Sequence, residues 1–244
     1  FPVQPLAMLR SRIAGIGKYL PEQIVRNQDL LRYMDTSDEW IQERTGIQER
    51  RYAHRTQETT TTMGVAAAQI AMERAGVTAD EIDFIIFATL SPDYYFPGCG
   101  VLLQRAMKMK EIGALDVRNQ CSGFVYALSI ADQYIRTGTY KNILVVGAEK
   151  HSFGLDFTTR GRNVSVIFGD GAGAIVLSST TEDKGFIDFI LHTDGTGKEH
   201  FTVPAGGSEQ PASKETIDNG HHYFQMNGPE VYKTAIKVVP KCIS

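Results

Sequence analysis

Residues 112–124 read IGALDVRNQCSGF, a stretch that passes from a strand pattern into a helix pattern. Its first half is a short apolar run with strand character, whereas Phe124, Leu128 and Ile135 recur at helical spacing. Cys121 therefore lies where a predicted strand passes into a predicted helix. There its sulfur would meet unpaired backbone N–H groups and the positive end of the helix dipole, which favour the nucleophilic thiolate. Cys121 is a candidate nucleophile; the alternative is a small buried apolar side chain, the commoner state of a lone cysteine.

Strand and helix patterns alternate outward from this junction. The predicted strands are 13–17, 82–88, 112–117, 142–148, 164–168 and 174–177, and a further strand, 186–193, opens a second unit. The predicted helices are 59–75, 98–109, the stretch after Cys121 up to residue 138, and 229–239, with 194–222 as a long polar loop. The alternation predicts an α/β fold with a mostly parallel sheet, in which strand 82–88 is buried on both faces.

Composition excludes several classes of protein. The 244 residues are 42% apolar, enough for a substantial core, and the net charge of −3 gives no reason to expect a nucleic acid or an anionic membrane as partner. The three cysteines are widely spaced and the histidines lack ligand spacing, so neither a disulfide framework nor a metal site is predicted. Residues 1–11 do not resemble a signal peptide and are expected to be an extension or an expression remnant.

The glycine-rich run 169–173, GDGAG, invites comparison with phosphate-binding loops. A phosphate loop joins a strand to a helix, whereas an apolar strand pattern follows this run. We therefore predict a tight hairpin turn, in which glycine and aspartate supply the positive φ angles.

Cationic residues surround Trp40, the only tryptophan of the chain. Indole rings stack on planar groups, and arginine both stacks and binds phosphate through two N–H groups. The pattern is typical of a site for an aromatic ring with nearby phosphates; the alternative is a solvated charged face. The cationic residues concerned are Arg44, Arg50, Arg51 and His54, which Arg160 and Arg162 could join.

Several motifs together resemble one family. They are SDEWI at 37–41, RTGI at 44–47, ERR at 49–51, NQCSGF at 119–124 and FGDGAGA at 168–174. In this order and spacing they resemble β-ketoacyl-(acyl carrier protein) synthase III, of the thiolase-like superfamily, from residue 12 to Ser244. The resemblance implies a thiolase-like layered α/β fold in a homodimer, with 12–183 as the N-terminal half and 184–244 as the beginning of a C-terminal half.

The resemblance also implies a two-step reaction for a cytoplasmic enzyme that initiates fatty-acid synthesis. Cys121 would take the acyl group of acyl-CoA, with its backbone N–H stabilising the oxyanion. The acyl group would then condense with malonyl-(acyl carrier protein), with loss of CO2. Neither a metal nor a cofactor beyond the coenzyme A thioester is implied.

Coenzyme A contacts are implied for residues near both ends of the N-terminal half. Trp40 and Arg162 match the pair that encloses the adenine ring. Two extra residues near 152–163 leave Arg160 as a competing match. Thr36 and Arg44 match further coenzyme A contacts.

Other residues match the acyl pocket and the docking surface. Phe96, in YYFP at 94–97, matches a residue that crosses the dimer interface and closes the partner's acyl pocket. Met226, Gly228 and Tyr232 match the mouth of the pantetheine tunnel. Lys233 matches a basic position that faces the acidic carrier protein, a contact that salt should weaken.

The sequence departs from the family pattern in one respect. The condensation step uses a histidine in a Pro-His-Gln type motif and an asparagine in a Gly-Asn-Thr-Ser type motif, and neither motif occurs here. We expect both to belong beyond Ser244 and the second half to be incomplete. Two alternatives stay open: a synthase III-like enzyme of secondary metabolism, and a non-condensing acyl-binding or dimerisation module.

Overall fold

The computed structural model describes residues 9–243, with Ile243 described by its backbone only. The chain forms two compact units. The first unit comprises the described residues up to Glu22, Ala53–Lys150 and Asp170–Phe189; the second comprises Gln23–Tyr52, His151–Gly169 and the residues from Ile190. Of the predicted extension 1–11, residues 1–8 lie outside the described residues, whereas Arg10 already begins the first strand. The proposed halves 12–183 and 184–244 stay a prediction.

Most elements form where the sequence patterns predict them. The strands are β1 Arg10–Tyr19, β2 Gln23–Arg26, β3 Glu49–Tyr52, β4 Phe84–Ala88, β5 Gly113–Val117, β6 Asn142–Lys150, β7 Asp170–Thr180, β8 Phe201–Thr202 and β9 Gln225–Met226. The α-helices are α1 Asn27–Leu30, α2 Asp38–Thr45, α3 Thr60–Ala75, α4 Cys99–Ala106, α5 Gly123–Arg136, α6 Arg162–Ser165, α7 Lys214–Asp218 and α8 Gly228–Ile243. Short 3₁₀ turns lie at Ala79–Glu81, Gln120–Ser122, His151–Gly154, Thr159–Gly161 and Gly195–His200.

The five-stranded sheet of the first unit has the strand order β1-β7-β6-β4-β5. Strand β4 is parallel to β5 and β6, whereas β7 is antiparallel to β1 and β6. The prediction of a mostly parallel sheet is therefore corrected to a mixed one. The reason is that the chain leaves β6 at Lys150 and re-enters the sheet at Asp170, which pairs with Lys150, so its direction reverses.

The glycine-rich run 169–173 does not form the predicted hairpin turn. Residues 170–173 open β7, which is one continuous strand, and residues 162–165 before it are helical instead of forming a strand. None of the glycines in this run has a positive φ. The Asp170 side chain instead accepts the backbone N–H of Ala53 at 2.7 Å, so the aspartate ties two segments of the first unit together.

The predicted strand 186–193 is also wrong, because these residues have no strand structure. Ile187 is fully exposed, and an apolar run without a neighbouring strand has no partner for its backbone hydrogen bonds. The polar region 194–222 likewise contains short elements, among them β8 and α7.

Strand β4 lies at the centre of the first unit, and all five of its residues are buried, as predicted. Helices α3 and α4 pack on one side of the sheet, and α5 packs on the other side. Helix α3 lies so close to β1 that a Cβ atom at Gly15 or Gly17 would lie 2.1 or 2.0 Å from a carbonyl oxygen of the helix. Glycine is therefore required there for space.

This close approach gives a stability prediction. Gly17→Ala should lower the free energy of unfolding by about 1–3 kcal/mol, because the new methyl group forces α3 away from the sheet. The matched control is Gly173→Ala in β7, where a Cβ atom would meet nothing within 4 Å and little change is expected. Urea unfolding followed by circular dichroism measures both variants, and equal losses would contradict the packing argument.

Candidate active site

Cys121 is exposed and lies in the 3₁₀ turn Gln120–Ser122, between the end of β5 and the start of α5. The predicted strand-to-helix junction is confirmed, and the thiol lies in a 3₁₀ turn that directly precedes α5. Gln120 adopts a left-handed φ of 45°, which bends the chain sharply before the cysteine. The Ser122 hydroxyl donates to the Asn119 carbonyl at 3.1 Å and holds this turn closed.

Cys121 follows the carboxyl end of β5, the edge strand of the sheet. Strands β4, β5 and β6 run in one direction, so their carboxyl ends share one edge of the sheet, where α/β proteins place their reactive groups. Glu149 near the end of β6 accepts the Leu90 backbone N–H at 2.9 Å and the Ser91 hydroxyl. These bonds fix the segment that follows β4 at the same edge.

The other two cysteines lie in different environments. Cys99, at the start of α4, is buried, and this burial raises the pKa of its thiol. Cys242, in α8, is half-buried. Cys121 is the exposed one of the three.

Trp40 lies in α2 of the second unit, and its backbone N–H donates to Ser37 Oγ at 3.0 Å, which caps the helix. The guanidinium carbon of Arg162 lies 4.4 Å from the centroid of the Trp40 ring, and that of Arg44 lies 4.5 Å from it. Both distances are within the range of cation–π contact. We call Thr36, Trp40, Arg44 and Arg162 the Trp40 cluster.

The structure separates the two arginines that the sequence left as competing matches. Arg160 Nε donates to the buried carboxylate of Asp156 at 2.7 Å. Burial alone would raise the pKa of Asp156, but the hydrogen bonds from Arg160 and Thr158 outweigh it and hold this pKa below its usual range. Arg162 instead donates from Nη1 to the Asp35 carbonyl at 2.6 Å and lies on Trp40.

Two polar atoms of the Trp40 cluster lack a partner. Thr36 Oγ1 and Arg162 Nε are buried and make no hydrogen bond within residues 9–243. Buried polar atoms are nearly always paired in native proteins, because an unpaired one keeps the full cost of losing water. Arg50 Nε, which lies in a structural network of the same unit, is in the same state.

Arg50, a predicted member of the cationic group around Trp40, has a structural position. It is 6% exposed and donates from Nη2 to Asn27 Oδ1 and to the Val166 carbonyl, both at 2.8 Å. Burial lowers its pKa. Asn27 in turn donates to Asp38, the first residue of α2, at 2.7 Å. Sequence reasoning missed Asn27, since an asparagine between a short strand and a one-turn helix carries no distinctive signal.

His54 and Arg51 take other roles than the predicted one. His54 belongs to the first unit, where its ring nitrogen accepts the N–H groups of Thr56 and Gln57 at 3.4 and 3.3 Å. Arg51 lies in β3, paired with Ile24 of β2.

The residues matched to the pantetheine tunnel and to docking lie together in sequence and in the second unit. Met226 forms β9 and packs on that unit's apolar core, and Gly228 begins α8. Tyr232 is exposed on α8. Lys233 is exposed but forms an ion pair with Glu230 at 2.7 Å, which partly offsets its charge.

Phe96 lies in the loop between β4 and α4 of the first unit. It is 82% exposed and follows Tyr95, which is 90% exposed. Large aromatic side chains this exposed are typical of surfaces that are covered in an assembly. Strand β5, next along the chain, is an edge of the sheet.

The sequence also missed an aromatic group in the second unit. His151 is buried, and its ring centroid lies 5.1 Å from that of Phe168 and 5.3 Å from that of Phe224. Its members are far apart in sequence, so no local pattern indicates them.

Across residues 9–243, no cluster of three or more metal-ligating side chains forms, and none of the helices is long and apolar enough to span a bilayer.

The cysteine environments predict an order of alkylation. Iodoacetamide should modify Cys121 first, because it is exposed, whereas buried Cys99 should react only after unfolding. Peptide mass spectrometry over a time course measures the order, and Cys121→Ser serves as the control. Faster modification of Cys99 or Cys242 would contradict the assignment.

Comparison with known proteins extends over nearly the whole chain. The family model for 3-oxoacyl-[acyl-carrier-protein (ACP)] synthase III matches residues 115–195. The chain is 43% identical to beta-ketoacyl-[acyl-carrier-protein] synthase III of Chlorobaculum tepidum, covering 93% of this chain and 69% of that protein. It is 44% identical to the synthase III of Caldanaerobacter subterraneus subsp. tengcongensis, covering 93% and 68%.

Solved structures give the same result. The 3-oxoacyl-[acyl-carrier-protein] synthase III of Aquifex aeolicus matches with a TM-score of 0.81 and 39% identity, over 92% of this chain and 67% of that one. The priming beta-ketosynthase of the R1128 polyketide biosynthetic pathway matches with a TM-score of 0.84 and 31% identity, over 98% and 70%.

The mixed α/β sheet, the exposed cysteine between β5 and α5 and the similarity to solved synthase III structures together identify a thiolase-like condensing enzyme, which is an acyltransferase. The chain belongs to the β-ketoacyl-[acyl-carrier-protein] synthase III family. The predicted family, thiolase-like fold and enzyme class are thereby confirmed.

Proposed function

We propose that Cys121 accepts the acyl group of acyl-CoA. The thiolate attacks the thioester carbonyl carbon, a new carbon–sulfur bond forms, and the bond to coenzyme A breaks, so that coenzyme A leaves as a thiolate. The backbone N–H of Cys121 stabilises the transient oxyanion. The exposure of Cys121 beside the carboxyl ends of β4, β5 and β6 supports this role.

The Trp40 cluster is the observation that supports a coenzyme A thioester as the acyl donor. One indole ring has two guanidinium groups within 4.5 Å, and the nearest described carboxylate to Arg44 is that of Glu43 at 3.7 Å. A planar ring flanked by two guanidinium groups suits an aromatic ring that carries phosphates. Coenzyme A has this chemistry, and the unpaired atoms of Thr36 and Arg162 supply further donors.

In the second step, the acyl group passes from Cys121 to malonyl-(acyl carrier protein), with loss of CO2, as the first condensation of fatty-acid synthesis. The histidine and asparagine motifs that this step uses in the family do not occur in the 244 residues. The side chains of this chain therefore support acyl transfer most directly. A non-condensing acyl-binding role corresponds to that first step alone.

A homodimer fits two features of the first unit. Strand β5 is an edge of the sheet, and unpaired backbone groups at an edge can pair with a second copy. The exposed Phe96 then closes the acyl pocket of the partner.

Met226, Gly228 and Tyr232 form the mouth of the pantetheine tunnel, and Lys233 of α8 contacts the acidic carrier protein. The free cysteines accord with a cytoplasmic enzyme.

A second candidate is a synthase III-like enzyme of secondary metabolism. The similarity to the priming ketosynthase of a polyketide pathway favours it. A series of acyl-CoAs of increasing length separates the two functions. Fatty-acid initiation predicts that acetyl-CoA acylates Cys121 fastest, whereas preference for a longer or branched chain would support the second candidate.

Donor binding is tested by protection of the thiol. Acetyl-CoA should block alkylation of Cys121, and Arg162→Gln should raise the concentration needed about tenfold, since it removes a contact worth ~1.4 kcal/mol. The adduct and the rate of acylation are measured by mass spectrometry of the intact protein.

The matched control is Arg160→Gln. It should leave the protecting concentration unchanged but lower the thermal midpoint, because the buried Asp156 loses its ion pair. Protection that depends on Arg160 and not on Arg162 would refute the assignment of the adenine contact.

A further inference from the structure

Arg162 and Trp40 are too close together to hold a ring between them. The guanidinium carbon lies 4.4 Å from the indole centroid, which is direct contact. Planar groups in contact are separated by about 3.5–4 Å, so a sandwiched purine needs about 7 Å between the two outer groups. Arg162 therefore occupies the space that an adenine ring would take.

Backbone contacts hold Arg162 in this position. Its Nη1 donates to the Asp35 carbonyl at 2.6 Å, and the Asp35 backbone N–H donates to Thr159 Oγ1 at 3.0 Å. We call these two hydrogen bonds of Asp35 the clamp. Thr159 and Arg162 lie in adjoining short helical turns, so one segment of the chain supplies both partners of Asp35. The buried Nε of Arg162 makes no hydrogen bond within the described residues, so the stacked state leaves one donor unsatisfied.

We propose that Arg162 is a gate for the purine. In the free protein it covers Trp40; when the nucleotide binds, Arg162 leaves the Asp35 carbonyl, admits the ring, and then stacks on its outer face. Arg44 stays near the indole throughout, because its Nη1 donates to the Trp40 carbonyl at 3.3 Å. This inference rests on the proposed function, in which acyl-CoA is the acyl donor.

The first experiment reads the gate without any ligand. Trp40 is the only tryptophan, so fluorescence excited at the long-wavelength edge, where tyrosine does not absorb, reports on it alone. Arg162→Ala should raise the acrylamide Stern–Volmer constant about twofold, because a covered part of the indole becomes reachable. The control is Arg32→Ala, which removes a guanidinium that lies 5.0 Å from the centroid of the Tyr33 ring. An unchanged constant for Arg162→Ala, or an equal rise in both variants, overturns the proposal.

The second experiment follows binding of adenosine 3′,5′-bisphosphate by stopped-flow fluorescence. In the wild type the observed rate of binding should reach a plateau as the ligand concentration rises, because the movement of Arg162 away from Trp40 becomes rate-limiting. In Arg162→Ala it should rise linearly, with affinity about tenfold weaker. Thr159→Val keeps Arg162 but removes one clamp bond, and it should raise the plateau several-fold.

The outcomes separate the gate from the donor assignment. A linear rate in the wild type, while acetyl-CoA still acylates Cys121, overturns the gate alone. If adenosine 3′,5′-bisphosphate binds neither the wild type nor Arg162→Ala, both the gate and the proposed role of acyl-CoA as acyl donor are overturned. A plateau that is lost in Arg162→Ala supports both.

Discussion

The second unit depends on the buried guanidinium of Arg50, which joins three segments that are distant in sequence. Its N–H groups reach the carbonyl of Val25 in β2, the side chain of Asn27 and the carbonyl of Val166. A buried cation costs free energy unless its donors are paired. The three acceptors pair both terminal nitrogens of Arg50, whereas its Nε has no hydrogen-bond partner within the described residues. Because Asn27 also binds Asp38 at the start of α2, the same network sets where Trp40 lies.

The first unit depends on close packing instead of a polar network. Helix α3 approaches the backbone of β1 through glycines and alanines, and this fixes one face of the sheet. On the other face α5 packs through Ala127, Ala131 and Ile135. A rigid sheet with a helix anchored in this way holds the turn that carries Cys121, while the thiol itself remains exposed.

Sequence reasoning succeeds where the local signal and the tertiary environment agree. Helix α3 begins after the Thr59 cap and ends at Gly76, whose φ of 65° needs glycine, so both ends are readable from the chain. The run 169–173 failed because glycine and aspartate suit turns, whereas pairing of β7 with strands on both sides imposes an extended backbone. The strand predicted at 186–193 does not form, because these residues have a strand-like pattern but no neighbouring strand with which to pair.

The family and the strand-to-helix position of Cys121 follow from the sequence alone, because they rest on motif order and local periodicity. Which of Arg160 and Arg162 contacts the Trp40 ring is fixed only by tertiary packing. Arg160 and Arg162 are two residues apart on one short segment, so no spacing distinguishes them. Asp156 binds the first and the Asp35 carbonyl binds the second, and both contacts exist only once separate parts of the chain have packed together.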